Sequence, residues 1–124
     1  MACALVVDDA RAVRRIIGGI LRELAYEVLE AENGRAALDL LASLECPPDL
    51  LLLDWNMPEM DGLETLKNIR ADARWASMLV LMVTTETEVE RITAALAAGA
   101  NEYIMKPFTP EILIERIAMA RAIA

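Results

Sequence analysis

An aspartate closes an apolar run in the middle of the chain, where it could do chemistry. Residues 50–53 are four leucines, and Asp54 follows them directly. An unbroken apolar run of this length is typical of a strand that is buried on both faces of a parallel sheet. Ligands bind at the carboxyl edge of such sheets, so Asp54 is a candidate for chemistry. The alternative interpretation is an aspartate that opens a surface turn.

Other polar side chains follow further apolar runs in the same way. Asp8 and Asp9 stand after the first run, Thr84 after the fourth and Lys106 after the fifth. Each of them alone could be an ordinary helix cap or a solvated surface group. The carboxyl ends of parallel strands share one edge, however, so these side chains and Asp54 are predicted to converge on one crevice.

Three carboxylates, a hydroxyl and an ammonium in one crevice favour metal-assisted phosphoryl chemistry. Clustered carboxylates repel each other unless a cation compensates their charge. An oxygen-only site with room for water suits Mg²⁺ and also admits Mn²⁺. One carboxylate can then attack phosphorus and form an acyl phosphate. The Lys106 ammonium, the Thr84 hydroxyl and nearby backbone N–H groups would supply donors to the new phosphoryl group.

The elements that must position these residues alternate between strands and helices. Apolar periodicity predicts five strands, at residues 3–7, 27–31, 50–53, 78–83 and 101–105, and after each of them a helix, at residues 10–24, 35–44, 61–71, 85–98 and 110–123. Four side chains are predicted to begin helices, and one glycine is predicted to end one. These residues are Asn33, Asp61, Thr85, Thr109 and Gly99. Right-handed crossovers then give an α/β fold, a doubly wound parallel sheet with helices on both faces.

Composition excludes several classes of protein. No apolar run approaches the roughly 20 residues that span a bilayer, and no secretory signal is apparent, so we expect a cytoplasmic protein that does not insert into membranes. The net charge of −8 argues against binding DNA through a basic surface. The absence of histidine excludes a histidine base and histidine-ligated zinc. Cys3 and Cys46 are expected to be ordinary thiols.

Five segments of the chain carry a family resemblance. They are Val6-Val7-Asp8-Asp9, Leu53-Asp54-Trp55-Asn56-Met57-Pro58, Met60-Asp61-Gly62, Met82-Val83-Thr84 and Tyr103-Ile104-Met105-Lys106-Pro107-Phe108. Together they resemble the receiver domain of two-component response regulators. The resemblance covers essentially the whole chain and is most marked towards the single-domain regulators of chemotaxis.

The resemblance implies a flavodoxin-like sheet in the order 2-1-3-4-5 with five helices, and one receiver domain over residues 1–124 without an output domain. It also implies a signalling domain that catalyses only its own phosphorylation and dephosphorylation.

The resemblance also assigns roles around the acidic crevice. It implies that Asp54 accepts a phosphoryl group from a phosphohistidine of a partner histidine kinase. Asp9 and Asp54 would bind Mg²⁺ directly, together with the backbone carbonyl of Asn56, and Asp8 would act mainly through water. Asn56 and Glu86 would tune how long the phosphoryl group survives.

The resemblance further implies a switch that reports phosphorylation to a partner. Thr84 and Tyr103 would be the switch pair, and Lys106, before a cis Pro107, would bridge to the phosphoryl group. The surface of the fourth helix, fifth strand and fifth helix would change as a result. Its partner would be a flagellar motor switch protein or another regulator, and a phosphatase would assist in resetting the signal.

The last helix is apolar on more than one side. Either some of its apolar residues face a partner, or they form a wide core-facing stripe with tolerated surface positions. The residues concerned are Ile112, Leu113, Ile114, Ile117, Met119 and Ile123.

Other functions compete with this interpretation. A small phosphohydrolase of the haloacid-dehalogenase type usually has a second acid two residues after its aspartate, where this chain has Asn56. A receiver-like module could bind a nucleotide second messenger, since Arg116 and Arg121 keep anion binding open. A phosphate sink without motor output is a further alternative.

Overall fold

The computed structural model describes residues 2–85 and 89–122. Its strands form one parallel sheet in the order β2-β1-β3-β4-β5, which confirms the predicted flavodoxin-like order. The strands are β1 Cys3–Val7, β2 Glu27–Ala31, β3 Leu50–Asp54, β4 Leu79–Thr84 and β5 Glu102–Met105. The helices are α1 Arg11–Glu23, α2 Gly34–Ser43, α3 Gly62–Arg70, α4 Val89–Ala97 and α5 Pro110–Ala122.

The central strand β3 is buried along its whole length, as its leucine run predicts. Successive side chains of a strand point to opposite faces of the sheet. Leu51 and Leu53 accordingly pack with α2 and α3 on one face, whereas Leu50 and Leu52 pack with α1 and α5 on the other. Apolar cores on both faces therefore hold β3 and the residue at its end.

Three of the four predicted N-caps and the predicted C-cap are confirmed, and the cap predicted at Thr85 falls on a segment, 86–88, that lies outside the described residues. The side chain of Asn33 accepts a hydrogen bond from the backbone N–H of the third residue after it at 2.7 Å, and Asp61 and Thr109 do the same at 2.9 and 3.3 Å. Gly99, just after α4, has a φ of +110°, the left-handed region in which glycine carries no steric penalty. Each side-chain cap accepts a hydrogen bond from a backbone N–H that has no partner within its helix, and the glycine allows the chain to turn after α4.

A short 3-10 helix, Ala73–Trp75, was not predicted from the sequence. It lies between α3 and β4, and Trp75 is buried against the core. The segment is too short for a period to be read from its apolar residues. In the part of the chain that the structure describes, no helix is long and apolar enough to cross a membrane.

Candidate functional site

Three carboxylates meet at the carboxyl edge of the sheet. Register explains the meeting, because β1 pairs with β3 up to Val7 and Leu53, and the acids follow directly after these residues. One carboxylate oxygen from each of Asp8, Asp9 and Asp54 lies within 4.8 Å of the others. The predicted convergence of the acids is therefore found in the structure.

Lys106 joins the acidic cluster from β5. Its Nζ donates to Oδ2 of Asp8 at 2.8 Å and to Oδ1 of Asp54 at 3.3 Å. Its backbone N–H donates to the carbonyl of Thr84 at 2.8 Å, which fixes the residue against β4. The peptide bond from Lys106 to Pro107 is cis, as the resemblance implied.

Burial and charge set the electrostatics of the cluster. Asp8 and Asp54 are buried, whereas Asp9 is exposed to solvent. Burial raises the pKa of Asp54, and the charge of Asp8 raises it further, while Lys106 opposes the shift. Burial lowers the pKa of Lys106, but its hydrogen bond to Asp8 and the nearby carboxylates outweigh this effect and raise it overall. The ionised form of Asp54 therefore lacks full compensation in the folded protein.

The cluster fits a hard divalent cation. Lys106 is the single cation paired with the three acids among the described residues, so negative charge remains in excess. The donors are oxygens, and the exposed Asp9 leaves one side open to water. Mg²⁺ prefers oxygen ligands and keeps several waters, so the residues present suit it. Asp8 also accepts a hydrogen bond from the N–H of Ala10 at 2.8 Å, so it helps to begin α1 as well.

The remaining predicted residues lie on β4 and β5 or just after β3. Thr84 is buried at the end of β4. Asn56 is exposed, and its amide donates to the hydroxyl of Thr85 at 3.4 Å. Tyr103 is half-buried on β5, with the Arg116 guanidinium 5.1 Å from the centre of its ring. Glu86 lies outside the described residues.

Arg14 is a residue of the site that sequence reasoning missed. Its guanidinium donates to the backbone carbonyl of Asp8 at 2.6 Å and to the carboxylate of Glu30 at 3.0 Å. Arg14 belongs to α1, and only 13 % of its side chain is exposed. The apolar pattern contains no signal for this contact, since a long side chain can lie along its helix and reach the preceding loop.

Comparison with known proteins identifies the family. The sequence model of the family described as "Response regulator receiver domain" matches residues 4–118 of this chain. The "Chemotaxis protein CheY homolog" of Campylobacter jejuni is 49 % identical over 114 residues, which are 91 % of this chain and 87 % of the relative. "Chemotaxis protein CheY1" of Helicobacter pylori is 46 % identical over 91 % of both chains.

Solved structures agree with the sequence comparison. The structure of the Vibrio cholerae chemotaxis response regulator CheY4 has a TM-score of 0.89 and 35 % sequence identity to this chain. The match covers 97 % of this chain and 98 % of that one. Receiver domains are signalling domains that bind Mg²⁺ at an acidic aspartate cluster, and the cluster described above has that composition. The chain therefore belongs to the response regulator receiver domain family.

Proposed function

We propose that residues 1–124 act as one cytoplasmic receiver domain that carries its signal as a phosphoryl group on Asp54. The observation that carries this proposal is the buried carboxylate of Asp54, which shares the Lys106 ammonium with Asp8 and has a raised pKa. An ionised, poorly compensated carboxylate beside an ammonium is suited to attack on phosphorus.

The reaction would transfer a phosphoryl group from a histidine kinase. An oxygen of Asp54 forms a bond to phosphorus, the phosphorus–nitrogen bond of the phosphohistidine breaks, and the imidazole leaves with that electron pair. Asp9, Asp54 and the backbone carbonyl of Asn56 would hold Mg²⁺, with Asp8 acting mainly through water. The bound cation would offset the negative charge of the transferred group.

The switch would follow from new hydrogen bonds to the phosphoryl oxygens. Lys106 already reaches Asp54 and would bridge to the group, and the Thr84 hydroxyl would move towards it. The state with Thr84 drawn inward gains a hydrogen bond, so its population rises. Tyr103 would then turn inward and change the surface formed by α4, β5 and α5.

Apolar side chains on that surface support a protein partner. Leu96 on α4 and Met105 on β5 are exposed, as is Ile112 on α5. An open cavity of about 220 Å³ lies among Tyr103, Met105 and Ile112. Within α5, the buried stripe comprises Leu113, Ile117 and Ala120, whereas Ile112, Ile114 and Met119 are exposed. Ile123 lies outside the described residues. We propose that a flagellar motor switch protein or another regulator binds here, and that the pathway is chemotaxis.

Phosphorylation from a small donor tests the assignment of Asp54. With acetyl phosphate or phosphoramidate and Mg²⁺, the wild type is expected to gain an acid-stable, base-labile phosphoryl group. Asp54→Asn is expected to gain none, and removal of Mg²⁺ with a chelator should abolish labelling. Asp39→Asn makes the same chemical change at an exposed position on α2 and should label normally. Equal labelling of wild type and Asp54→Asn would refute the proposal.

A pull-down separates motor output from the alternative of a phosphate sink. Beryllofluoride-loaded protein is expected to retain a partner that the unmodified form does not retain, and Ile112→Glu should lose it. Ala118→Glu changes an exposed position of α5 away from this cavity and should keep the partner. If labelling succeeds and neither form retains a partner, the sink is the correct interpretation.

A further inference from the structure

Arg116 on α5 contacts the side chain of Tyr103 around the edge of the sheet. β5 is an edge strand, with β4 as its neighbour on one side. Tyr103 packs on the face of the sheet that α2 and α3 cover, whereas α5 packs on the opposite face. The Arg116 guanidinium reaches around β5 and lies 5.1 Å from the centre of the Tyr103 ring, within the range of a cation–π contact.

Glu102 fixes the position of that guanidinium. Successive residues of a strand face opposite sides of the sheet, so Glu102 faces α5 while Tyr103 faces away from it. The Oε1 atom of Glu102 accepts a hydrogen bond from Nη1 of Arg116 at 3.4 Å and another from the backbone N–H of Tyr103 at 3.1 Å. Only 12 % of the Glu102 side chain is exposed, so its charge requires a partner. The guanidinium is therefore held beside β5.

The inward turn of Tyr103 would break its contact with Arg116. Under the proposed function the ring moves towards Thr84 on β4, the strand on the inner side of β5. That movement takes the ring away from the edge of the sheet, and a guanidinium paired with Glu102 cannot follow it. The contact therefore stabilises the position at the edge and not the inward one. An interaction that is made in one of two states raises the population of that state.

We propose that Arg116 and Glu102 form a latch that holds Tyr103 at the edge of the sheet and opposes the switch until Asp54 is phosphorylated. This inference rests on the proposed function, because the switch is part of it. Arg116 is a positioning residue, since it acts on the switch through Tyr103. By linkage, a latch that opposes the inward turn also weakens the binding of a phosphoryl analogue at Asp54.

The affinity for beryllofluoride measures the latch. In calorimetric titration of the full chain with Mg²⁺ present, Arg116→Met is expected to lower the dissociation constant of beryllofluoride about two- to fivefold, the effect of losing one cation–π contact. Glu102→Gln should lower it as well, because the guanidinium loses its anchor. Arg121→Met is the matched control. Arg121 also belongs to α5, and its guanidinium lies 5.2 Å from the centre of the Tyr26 ring, so the dissociation constant should stay at the wild-type value.

Tyr103→Leu shows whether Arg116 acts through the ring. In that background Arg116→Met should change the dissociation constant no further, as a double-mutant cycle requires of two residues that act through one contact. Tyr103→Phe keeps the ring, so Arg116→Met should retain its effect there. Equal affinity of wild type and Arg116→Met, or an effect that persists without the ring, would overturn the latch. Thermal unfolding of each variant would verify that it is folded.

Fluorine NMR separates failure of the latch from failure of the proposed function. The chain has two tyrosines, so protein that contains fluorotyrosine gives two resonances, which Tyr26→Phe assigns. The solvent isotope shift of the Tyr103 resonance reports how far water reaches the ring. Without beryllofluoride, this shift should fall in Arg116→Met, because the ring turns inward more often.

A rise in the solvent isotope shift would show that Arg116 only shields the ring from water, and it would overturn the latch. If wild type itself fails to bind beryllofluoride, the proposed function fails. The isotope shift of Tyr103 then decides by itself whether Arg116 holds the ring at the edge of the sheet.

Discussion

The charge on Asp54 costs the folded protein stability when no cation is bound. Burial first, and then the neighbouring Asp8, raise the pKa of this carboxyl above its ordinary value of 3.8. The folded chain therefore binds the proton more tightly than the unfolded chain does. The proton bound to Asp54 therefore stabilises the folded protein. This stabilisation is fully present below pH 3.8 and is lost as the pH rises through the higher pKa of the folded protein.

Asp54→Asn is accordingly expected to increase the free energy of unfolding at pH 7 in the presence of a chelator. The difference from wild type should shrink as the pH falls towards 3.8, because the wild-type carboxyl then becomes neutral as well. Urea denaturation at several pH values measures this difference, with Asp39→Asn as the control. A difference that stays constant over the whole pH range would contradict the stated cause.

Arg14 holds the loop that presents Asp8. Because its hydrogen bond to the Asp8 carbonyl comes from a charged donor, Arg14→Gln is expected to lower the free energy of unfolding by about 1–3 kcal/mol. The substitution should also weaken Mg²⁺ binding, because the backbone that carries the Asp8 carboxylate is no longer held in place. Calorimetric titration with Mg²⁺ and urea denaturation measure the two effects.

Glu30→Gln is the matched control for Arg14. It removes the other partner of the same guanidinium and leaves the bond to Asp8 in place. We expect a loss of less than about 1 kcal/mol, as for other exposed ion pairs, and unchanged Mg²⁺ affinity. Equal losses of Mg²⁺ affinity in both variants would show that the ion pair, and not the carbonyl contact, positions the acid.

At the scale of elements, the start of α3 is packed against the end of β3. Gly62 donates its backbone N–H to the carbonyl of Trp55 at 2.8 Å. A Cβ at this position would overlap the backbone carbonyl of Asp54, which has no flexible side chain to move aside. The glycine therefore sets how closely the helix approaches the candidate phosphorylation site.

Gly62→Ala is expected to lower the free energy of unfolding by about 1–3 kcal/mol, the usual effect of overpacking. Labelling by acetyl phosphate should slow as well, because the strand end that carries Asp54 must shift. Gly19→Ala is the control, since its Cβ meets open space. In dilute protein it should raise the free energy of unfolding by about 0.5–1 kcal/mol. Normal labelling of a folded Gly62→Ala variant would contradict the role given to this contact.

At the scale of the whole molecule, Arg70 ties several elements together at the edge opposite the acids. Its guanidinium, at the end of α3, donates to backbone carbonyls and to the side chain of Asn101. The carbonyl partners are Gly99, Trp75, Ala76 and Met78. One side chain thus joins the 3-10 helix, the segment before β4 and the loop before β5. Burial lowers the pKa of Arg70, and these carbonyls compensate its desolvation.

Arg70→Met is expected to lower the free energy of unfolding by about 2–3 kcal/mol, because buried carbonyls lose their donors. Labelling of the folded variant at Asp54 should be unchanged, since the two edges of the sheet are separate. Arg74→Gln is the control in the same region. Arg74 pairs with Asp72 at the surface, and its loss should leave the free energy of unfolding nearly unchanged. A similar loss in the free energy of unfolding in both variants would contradict the proposal that Arg70 joins these elements.

The fold could be predicted from the sequence because each signal is local. The leucines before Asp54 specify a buried strand by composition alone, and side chains such as Asn33 and Asp61 form their caps within three residues. The 3-10 helix could not be predicted, because its stability comes from the burial of Trp75 and from the contacts with Arg70. Both are long-range interactions that leave no periodic pattern.

The sequence by itself determined which acids follow strands, and parallel strands then bring those acids to one edge. Only the tertiary structure decided how the charges are shared. Lys106 lies closer to Asp8 than to Asp54, and Arg14 turns back to hold the Asp8 carbonyl. The physical reason is that strand order and register are specified by backbone patterns, whereas the partner of a long charged side chain depends on how neighbouring elements pack.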